Sequence, residues 1–357
     1  MARYDYIDIA RGLGILAVIW GHIIWHHWTG DYVYTFHMPL FFFISGMLFH
    51  KEKYSSSHVF IKKRVKRLFV PYLWYSIITW MIWAGFNYFL HRPVDSYFAP
   101  LLQTFLAQGS GEFMVHNSPL WFIPCLFAVE VMYYFISKTK DILIILLCIS
   151  LAGMSILLEH LYGEDYLLLL PWNFDAALMA LPFYAAGNFL TRYLPHQTIN
   201  NIVKQHQMLV WCIIITLTGL LVYSVQVFGS MSMGYSGYGN EYIFHIRAIL
   251  GCISTLLFAS LLSFYAQQHI SHFFTRLINF IKWFGIVSLD VMCTHVPIKG
   301  FIIVAVATFL HQPRTDAMSN IWLALLVFVI TLIIDSYVVS IIQIIKLKYK
   351  EYTSHKK

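Results

Sequence analysis

Apolar runs of about 20 residues recur along the chain, and short polar stretches separate them. A helix of that length, rising ~1.5 Å per residue, crosses the ~30 Å hydrocarbon core of a bilayer. The runs do not alternate with period two, so they predict helices and not the strands of an outer-membrane barrel. The pattern therefore predicts an all-α polytopic membrane protein. We expect ten spans, at residues 7–28, 34–49, 68–90, 119–137, 141–158, 174–194, 208–228, 243–265, 283–310 and 319–346.

Composition agrees with this class. Of the 357 residues, 59% are hydrophobic and only 11% are charged, against roughly 25% charged residues in soluble domains. We expect one integral-membrane domain over residues 1–357 with no appended soluble domain. The first span is interpreted as retained, because Asp8 and Arg11 interrupt its apolar run and no typical cleavage site follows closely. The ninth span is expected to break near Pro297.

The distribution of basic residues predicts the orientation. Of the 24 lysines and arginines, nineteen fall in the termini and in one set of loops, and three lie within spans. The opposite loops hold only Arg92 and Arg314. The positive-inside rule then places both termini in the cytoplasm, in a multi-pass protein of the inner (cytoplasmic) membrane. The net charge of +7 is explained by this bias and by attraction to anionic lipid, so no nucleic-acid partner is expected.

The cysteines predict no covalent or metal framework. All of them lie within apolar spans, and none forms a C-x-x-C pair. Neither a disulfide nor a metal site is expected. They are Cys125, Cys148, Cys212, Cys252 and Cys293.

The first helix carries the clearest candidate site. Arg11 and His22 are eleven residues apart, which places their side chains within ~20° of one helical face and ~16 Å apart along the axis. Asp8 and His26 extend this polar stripe by one turn each. Ionisable groups in a spanning helix usually line an interior cavity and serve function. An Asp8–Arg11 ion pair is the structural alternative, but it leaves His22 unexplained.

Further polar residues lie on the second span and on the loop after it. His37 is expected near His22 at the outer side, while Ser45 and the glycine after it permit a close helix approach or simple packing. Seven of the residues from 51 to 67 are basic. An ordinary positive-inside anchor explains this loop, and a dock for phosphate groups formed by Lys63, Arg64 and Arg67 is compatible with that explanation.

Later segments offer weaker candidates. Glu130 is expected to pair with Arg11, to orient an imidazole or to form a structural ion pair. Ser288 and His295 are seven residues apart and share a helix face, where each lines the cavity or packs in the core. The long polar segments 91–118 and 229–242 lie on the outward side. The tyrosines of the second segment suit either a sugar-binding site or an interfacial belt.

These residues together resemble the acyltransferase 3 family, most closely its fucose 4-O-acetylase-like branch. The resemblance is specific over residues 3–72 and looser from there to His295. Its motifs are Asp8-x-x-Arg11, Gly21-His22, Phe36-His37-Met38-Pro39-Leu40-Phe41-Phe42-Phe43-Ile44-Ser45-Gly46, Lys63-Arg64-x-x-Arg67-Leu68-x-x-Pro71-Tyr72, Pro119-Leu120-Trp121-Phe122, Glu130, Pro182-Phe183-Tyr184, Gly187, Gly239-Asn240 and Gly285-x-x-Ser288-Leu289.

The resemblance implies transfer of an acetyl or other acyl group from cytoplasmic acyl-CoA to a glycan hydroxyl across the membrane. It implies that Arg11 and His22 are the essential pair, and it matches Arg64 and Arg67 to the family's basic motif. Acyl-CoA is then a donor substrate, and no permanently bound cofactor is expected. The acceptor is an exopolysaccharide, a lipopolysaccharide or a lipid-linked sugar of the cell envelope. The expected supporting residues are Asp8, His26, His37, Ser45, Trp121, Glu130, Asn240, Ser288 and His295.

The geometry of the first helix gives this expectation a mechanism. The nucleotide phosphates stay at the basic loop, the pantetheine arm passes Arg11, and the thioester reaches His22. A buried imidazole is favoured in its neutral form, which acts as a general base toward the acceptor hydroxyl. An acetyl-His22 intermediate stays open as an alternative.

The competing class is a glycan or small-anion transporter that uses the same charges as a path. The chain shows no inverted repeat, and this absence counts against a transporter. A structural scaffold is disfavoured by the internal charges.

Overall fold

The computed structural model describes residues 4–24, 26–109, 114–163, 170–235, 237–238, 240–268 and 271–354. Within these residues the protein is helical, and the all-α prediction is confirmed. An antiparallel bridge joins Ser232 to Gly237. The α-helices are α1 (Asp5–Ile23), α2 (Trp28–Tyr34), α3 (His37–Met47), α4 (Ser57–Arg64), α5 (Val70–Phe89), α6 (Ala99–Leu106), α7 (Phe122–Ile136), α8 (Asp141–Tyr162), α9 (Phe174–Tyr193), α10 (His196–Gln205), α11 (Gln207–Phe228), α12 (Glu241–Gln267), α13 (His272–Ile286), α14 (Ser288–Phe309), α15 (Arg314–Ser319) and α16 (Ile321–Ser354).

In the part of the chain that the structure describes, eight helical segments are long and apolar enough to cross a membrane. They match all of the predicted spans except the second and the sixth. α9 covers the sixth predicted span over 20 residues but is not among the eight. The candidate spans are Asp5–Ile23, Ser57–Phe89, Ser118–Ile136, Asp141–Tyr162, Gln207–Phe228, Glu241–Gln267, Ser288–Phe309 and Ile321–Thr353.

The second predicted span, 34–49, differs from the structure. It is broken between α2 and α3, and α3 has only 11 residues. At ~1.5 Å per residue, α3 is ~16 Å long and does not cross the hydrocarbon core alone. The break places His37 at the start of a buried helix, where its ring is 2% exposed.

The first helix ends earlier than predicted, and the expected extension of its polar stripe to His26 is wrong. α1 stops at Ile23 because Ile24 is extended and His27 begins α2 by accepting a hydrogen bond from the Thr29 backbone N–H. His26 itself has φ 52° and an exposed side chain. A local capping interaction therefore outweighs the apolar pattern that favours a longer helix.

The ninth predicted span breaks at a different residue from the one expected. α14 continues through Pro297, and the break lies at Val287, between α13 and α14. A proline inside a membrane helix is tolerated where neighbouring groups satisfy the freed carbonyl. The prediction of a break near Pro297 is therefore wrong.

Glycines allow the interior helices to touch along their backbones. A Cβ on Gly12 would meet the backbone of Ile281 in α13, and one on Gly285 would meet the backbone of Asp8 in α1. α3 and α9 cross in the same way at Gly46 and Gly187. Helices in a bilayer gain little from burying apolar surface, so close backbone contact of this kind is a main source of their association. α1 and α3 are fixed by these crossings.

Outer helices carry the lipid-facing surface. α8, α11 and α16 leave many large apolar side chains exposed, whereas α1, α3, α7 and α9 are largely buried. An exposed apolar face of this extent is typical of contact with lipid. The buried helices are those that hold the polar residues discussed below.

Candidate active site

His22 lies in the last turn of α1. Carbonyls in the last turn of a helix lack partners within the helix. The ammonium group of Lys299, on α14, donates a hydrogen bond to the His22 carbonyl oxygen at 2.5 Å. A cation at this end of a helix is also favoured by the helix dipole. Lys299 therefore fixes the end of α1 against α14 beside the imidazole.

Two further histidines and a tyrosine surround His22. The His22 and His295 ring centroids are 5.4 Å apart. The Tyr34 ring neighbours both His22 and His37, with ring centroids 6.2 Å and 4.9 Å away. The break between α2 and α3 brings Tyr34 and His37 into this cluster, which we call the histidine cluster: His22, Tyr34, His37 and His295.

Backbone hydrogen bonds set the tautomers of two of these rings. His37 Nδ1 donates to the Val33 carbonyl at 2.6 Å, and His295 Nδ1 donates to the Val291 carbonyl at 2.9 Å. A carbonyl only accepts, so both protons are on Nδ1 and both Nε2 atoms carry a lone pair. His295 Nε2 is buried without a hydrogen-bond partner among the described residues. The cluster therefore offers acceptor nitrogens for a hydroxyl proton.

A cavity of about 30 Å³ opens on this cluster. That volume holds about two waters. Its lining combines polar groups from α1, α2 and α3 with residues that come from distant parts of the chain. The lining residues are Val18, His22, Tyr34, His37, Met38, Pro119, Trp121, Ser232, Met233, Gly234 and Met292.

Another part of the cavity wall is the loop segment 232–234, which Asn173 holds in place. The Gly109 N–H donates to Asn173 Oδ1 at 2.7 Å, and Asn173 Nδ2 donates to the Gly234 carbonyl at 3.1 Å. The indole of Trp121 packs so closely on both glycines that a Cβ at either would lie 2.8–2.9 Å from it. Asn173 has φ 46°, a conformation that asparagine tolerates better than most residues. The loop is thus folded into the bundle at the cavity.

The predicted loop 229–242 is therefore partly buried. Met231, Met233 and Tyr238 are each at most 3% exposed, and the Tyr238 hydroxyl donates to Asp175 Oδ2 at 2.8 Å. Of this loop, Ser232, Met233 and Gly234 line the cavity, while Tyr238 packs in the core. Gly239 of the expected motif lies outside the described residues.

The basic end of the bundle has a different character. Arg64 is 7% exposed, and its Nε lies 3.2 Å from Glu130 Oε2. Glu130 thus has a buried ion pair with Arg64, which corresponds to the structural ion pair among the three alternatives expected for it. Lys63 and Arg67 are exposed. A π-helical turn, Val65–Phe69, begins directly after Arg64 and contains Arg67. It lies next to Pro71, whose missing N–H cannot continue the helical ladder.

A second, wider pocket lies at this end. It has a volume of about 410 Å³ and is lined by the loop after α3 together with the ends of α7 and α9. Lys51 donates to the Ser137 carbonyl at 2.9 Å, and Arg192 pairs with Asp141 at 3.0 Å. The lining is polar, with His50, Lys51, Glu52 and Arg192 among its residues.

The other predicted residues are spread along the bundle. Asp8 is buried and Arg11 half-buried on α1, and Arg11 does not line the cavity at His22. Ser45 is half-buried on α3. Ser288 is the first residue of α14, seven residues from His295, and is half-buried. Asn240 precedes α12, with its Oδ1 buried.

Sequence reasoning missed Tyr34, Asn173 and the contact of Lys299 with His22. Lys299 carries a detectable signal, since a charge within a span requires a partner, but its partner is a backbone carbonyl that no motif specifies. Tyr34 and Asn173 resemble ordinary aromatic and loop residues in the sequence. Their roles depend on the break after α2 and on a contact between segments more than 60 residues apart.

The described residues thus form a polytopic helical membrane protein with a small interior cavity bordered by histidines. The family model of the acyltransferase domain matches residues 4–338. Since the match covers nearly the whole chain, the protein belongs to the acyltransferase 3 family of membrane acyltransferases, as its motifs predict. Comparison with curated proteins and with solved structures finds no match.

Proposed function

We propose that this protein is an O-acetyltransferase of the cytoplasmic membrane. The donor is acetyl-CoA on the cytoplasmic side, and the acceptor is a hydroxyl of an extracytoplasmic or lipid-linked glycan. The observation that carries the proposal is the histidine cluster, in which His22 and His37 line one small cavity and His295 packs beside His22. The family membership supports an acyl-transfer reaction.

His22 acts as the general base in this proposal. Its imidazole accepts the proton of the acceptor hydroxyl while the oxygen attacks the thioester carbonyl. The carbon–oxygen bond forms, the carbon–sulfur bond breaks, and the imidazolium returns the proton to the thiolate of CoA. His37, which lines the cavity and whose Nε2 is left free to accept a hydrogen bond, holds the acceptor hydroxyl in place, while His295 packs beside His22 and orients its ring.

The size of the cavity favours a short acyl group. A volume of about 30 Å³ has room for an acetyl group only in part, so an acyl chain of many carbons would require a much larger rearrangement of its walls.

The donor's nucleotide is placed at the basic end. Lys63 and Arg67 are exposed there, and the pocket of about 410 Å³ adds Lys51 and His50. Phosphates bind well to such groups. Arg11, half-buried and ~16 Å along α1 from His22, stands between the two regions and is assigned to the pantetheine arm. Arg64 is assigned to holding this region through Glu130.

Radiolabelled acetyl-CoA tests the proposal. Membranes that contain the protein should transfer label to glycan, and membranes without it should not. If glycan instead crosses sealed vesicles without acquiring label, the transporter alternative replaces the proposal. Label that stays on the denatured protein in the absence of acceptor would identify an acetyl-His22 intermediate, and its loss in His22→Ala would locate it.

A further inference from the structure

A third pocket lies between α5 and α14, on the side of α14 next to His295. It has a volume of about 360 Å³, within the range of small-molecule sites. We call it the α5–α14 groove. Its polar residues are Thr79, Asn87, Arg92, His116 and Arg314, and its apolar lining includes Ile82, Trp83, Phe86 and Phe301.

Two arginines line this groove just beyond the C-terminal ends of its two helices, Arg92 after α5 and Arg314 after α14. Arg92 and Arg314 are the only basic residues that the predicted topology assigns to the outward loops, and they are more than 200 residues apart in the chain. Both line the groove. The Arg92 guanidinium lies over the Phe86 ring at 4.9 Å, which orients it. No acidic residue is among the described residues of the lining, so the groove is complementary to an anion.

His116 supplies an independent indication of a ligand. Its side chain lines the groove and is 3% exposed, and neither ring nitrogen has a hydrogen-bond partner among the described residues. Every imidazole carries at least one N–H, and a buried donor without an acceptor is costly. Burial lowers the pKa of His116 to about 4, so the ring is neutral and the positive charge comes from the arginines. An oxygen of a bound anion would accept a hydrogen bond from the N–H of the His116 ring.

The apolar side of the groove indicates what the anion is attached to. Ile82 is 43% exposed and Phe301 39% exposed, and both lie on helices that are candidate membrane spans. An apolar wall at membrane depth below a cationic end fits an amphiphile whose head group is anionic. Arginine pairs hold phosphate oxygens bidentately, which favours phosphate as that head group.

The groove is also close to the cavity of the histidine cluster. His116 in the groove and Pro119 in the cavity lining are three residues apart, which limits the separation of their Cα atoms to ~11 Å. Asn117, between them, donates to the Cys293 carbonyl of α14 at 2.7 Å. Val296 and Pro297 line the groove, while His295 on the same turn contacts His22.

We propose that the α5–α14 groove binds the phosphate group of an isoprenoid-type lipid that carries the acceptor sugar, with Arg92 and Arg314 on the phosphate and the chain along α5. The phosphate-bearing end is then held within reach of the cavity, so the sugar hydroxyl can approach His22. The role of the lipid as acceptor rests on the proposed function. The binding of the lipid does not, and it is measured separately.

Binding to the purified full-length protein is measured by native mass spectrometry with farnesyl phosphate, farnesol, inorganic phosphate and phosphatidic acid as probes. Farnesyl phosphate should bind more tightly than the other three. If farnesol bound as tightly as farnesyl phosphate, the proposed contact with the phosphate would be overturned. If inorganic phosphate bound as tightly, the proposed contact with the lipid chain would be overturned. Equal binding of phosphatidic acid would identify a site for bulk anionic lipid and overturn the assignment to a carrier.

Arg92→Gln/Arg314→Gln should weaken farnesyl phosphate binding by about a hundredfold, on the order of tenfold for each charged hydrogen-bonding group lost. Lys140→Gln/Arg276→Gln removes the same charge from exposed positions outside the groove and should bind normally. If the double variant does not fold, exposed Arg314→Gln alone should weaken binding about tenfold. Unchanged binding in the groove variant overturns the proposal.

His22→Ala separates the two proposals. It lies outside the groove and should bind farnesyl phosphate like the unaltered protein. Normal lipid binding without acetyl transfer in the unaltered protein would reject the proposed function and leave the groove intact. Acetyl transfer without lipid binding would reject the lipid site in the groove and leave the proposed function intact.

Discussion

The two ends of α1 lie in opposite environments. At its C-terminal end, His22 belongs to a histidine cluster beside a cavity of about 30 Å³, held by Lys299 and by a loop packed on Trp121. At its N-terminal end, the nearby loops form a pocket of about 410 Å³, beside exposed lysines and arginines. A small cavity among buried side chains admits little water, which strengthens polar interactions, whereas a larger polar pocket has room for a charged ligand. The difference separates a place for chemistry from a place for donor binding.

Replacing the base is the strongest test of this division. His22→Ala should lower acetyl transfer by about 10²- to 10⁴-fold, the usual contribution of a general base, while the protein remains folded in detergent. Transfer is measured with radiolabelled acetyl-CoA, and folding by size-exclusion chromatography.

His26→Ala is the matched control for that experiment, because His26 is exposed and lies beyond the end of α1. Its activity should stay close to that of the unaltered protein. If the His26 variant were as inactive as the His22 variant, or if His22→Ala were fully active, the histidine cluster would not be the catalytic region.

The next largest effect concerns the stability of the basic end. Glu130→Ala leaves the Arg64 guanidinium buried without its carboxylate, which should cost about 3–5 kcal/mol in the free energy of unfolding. Arg64→Met/Glu130→Leu replaces the pair with apolar groups and should recover most of that loss. Thermal unfolding of the purified protein measures both.

The exposed ion pair of Arg192 with Asp141 gives the matched comparison. Asp141→Ala should lower the free energy of unfolding far less than Glu130→Ala, because this ion pair lies at the surface and water can replace the lost carboxylate. Equal losses for Glu130→Ala and Asp141→Ala would contradict the structural role assigned to the buried pair.

The enclosure of the cavity is tested by adding one methyl group. Gly234→Ala places a Cβ against the Trp121 indole, so we expect a loss of about 1–3 kcal/mol in stability or a matching fall in kcat as the wall shifts. Gly237→Ala in the same loop meets nothing closer than 3.8 Å and serves as the control. Identical behaviour of the two variants would show that close packing at the cavity does not matter.

The smallest expected effect is on donor binding. Arg67→Ala should raise the KM for acetyl-CoA by about tenfold with kcat unchanged, since an exposed contact to phosphate is lost and the cavity is untouched. Arg276→Ala, which removes an exposed charge on α13, should leave KM unaltered. A fall in kcat with normal KM would place Arg67 in the chemistry and remove the division between the two ends.

Most of the fold was predictable from the sequence. The apolar runs predict helices of membrane-spanning length, and eight are present in the described residues. The errors occur where local interactions compete with that pattern. α1 ends early because His27 begins the next helix, and the ninth span breaks at Val287 although Pro297 is the stronger helix breaker.

The candidate site was predictable only in part. Arg11 and His22 follow from spacing on one helix, and the family follows from motifs near the N-terminus. Asn173, Gly234 and Trp121 could not be grouped, because each belongs to a different segment and their contacts are made through backbone atoms and packing. No periodicity along the chain encodes such contacts.

The amino-acid sequence by itself determined that this chain enters a membrane as helices and that a charged stripe lies on the first of them, because burial of apolar groups and helical periodicity act locally. Only the tertiary structure decided that Arg64 points into a pair with Glu130 while Arg67 faces outward, and that His22 meets His295, Tyr34 and the loop held by Asn173. Those arrangements depend on which helices pack together, and packing in a bilayer is chosen by the close fit of distant surfaces.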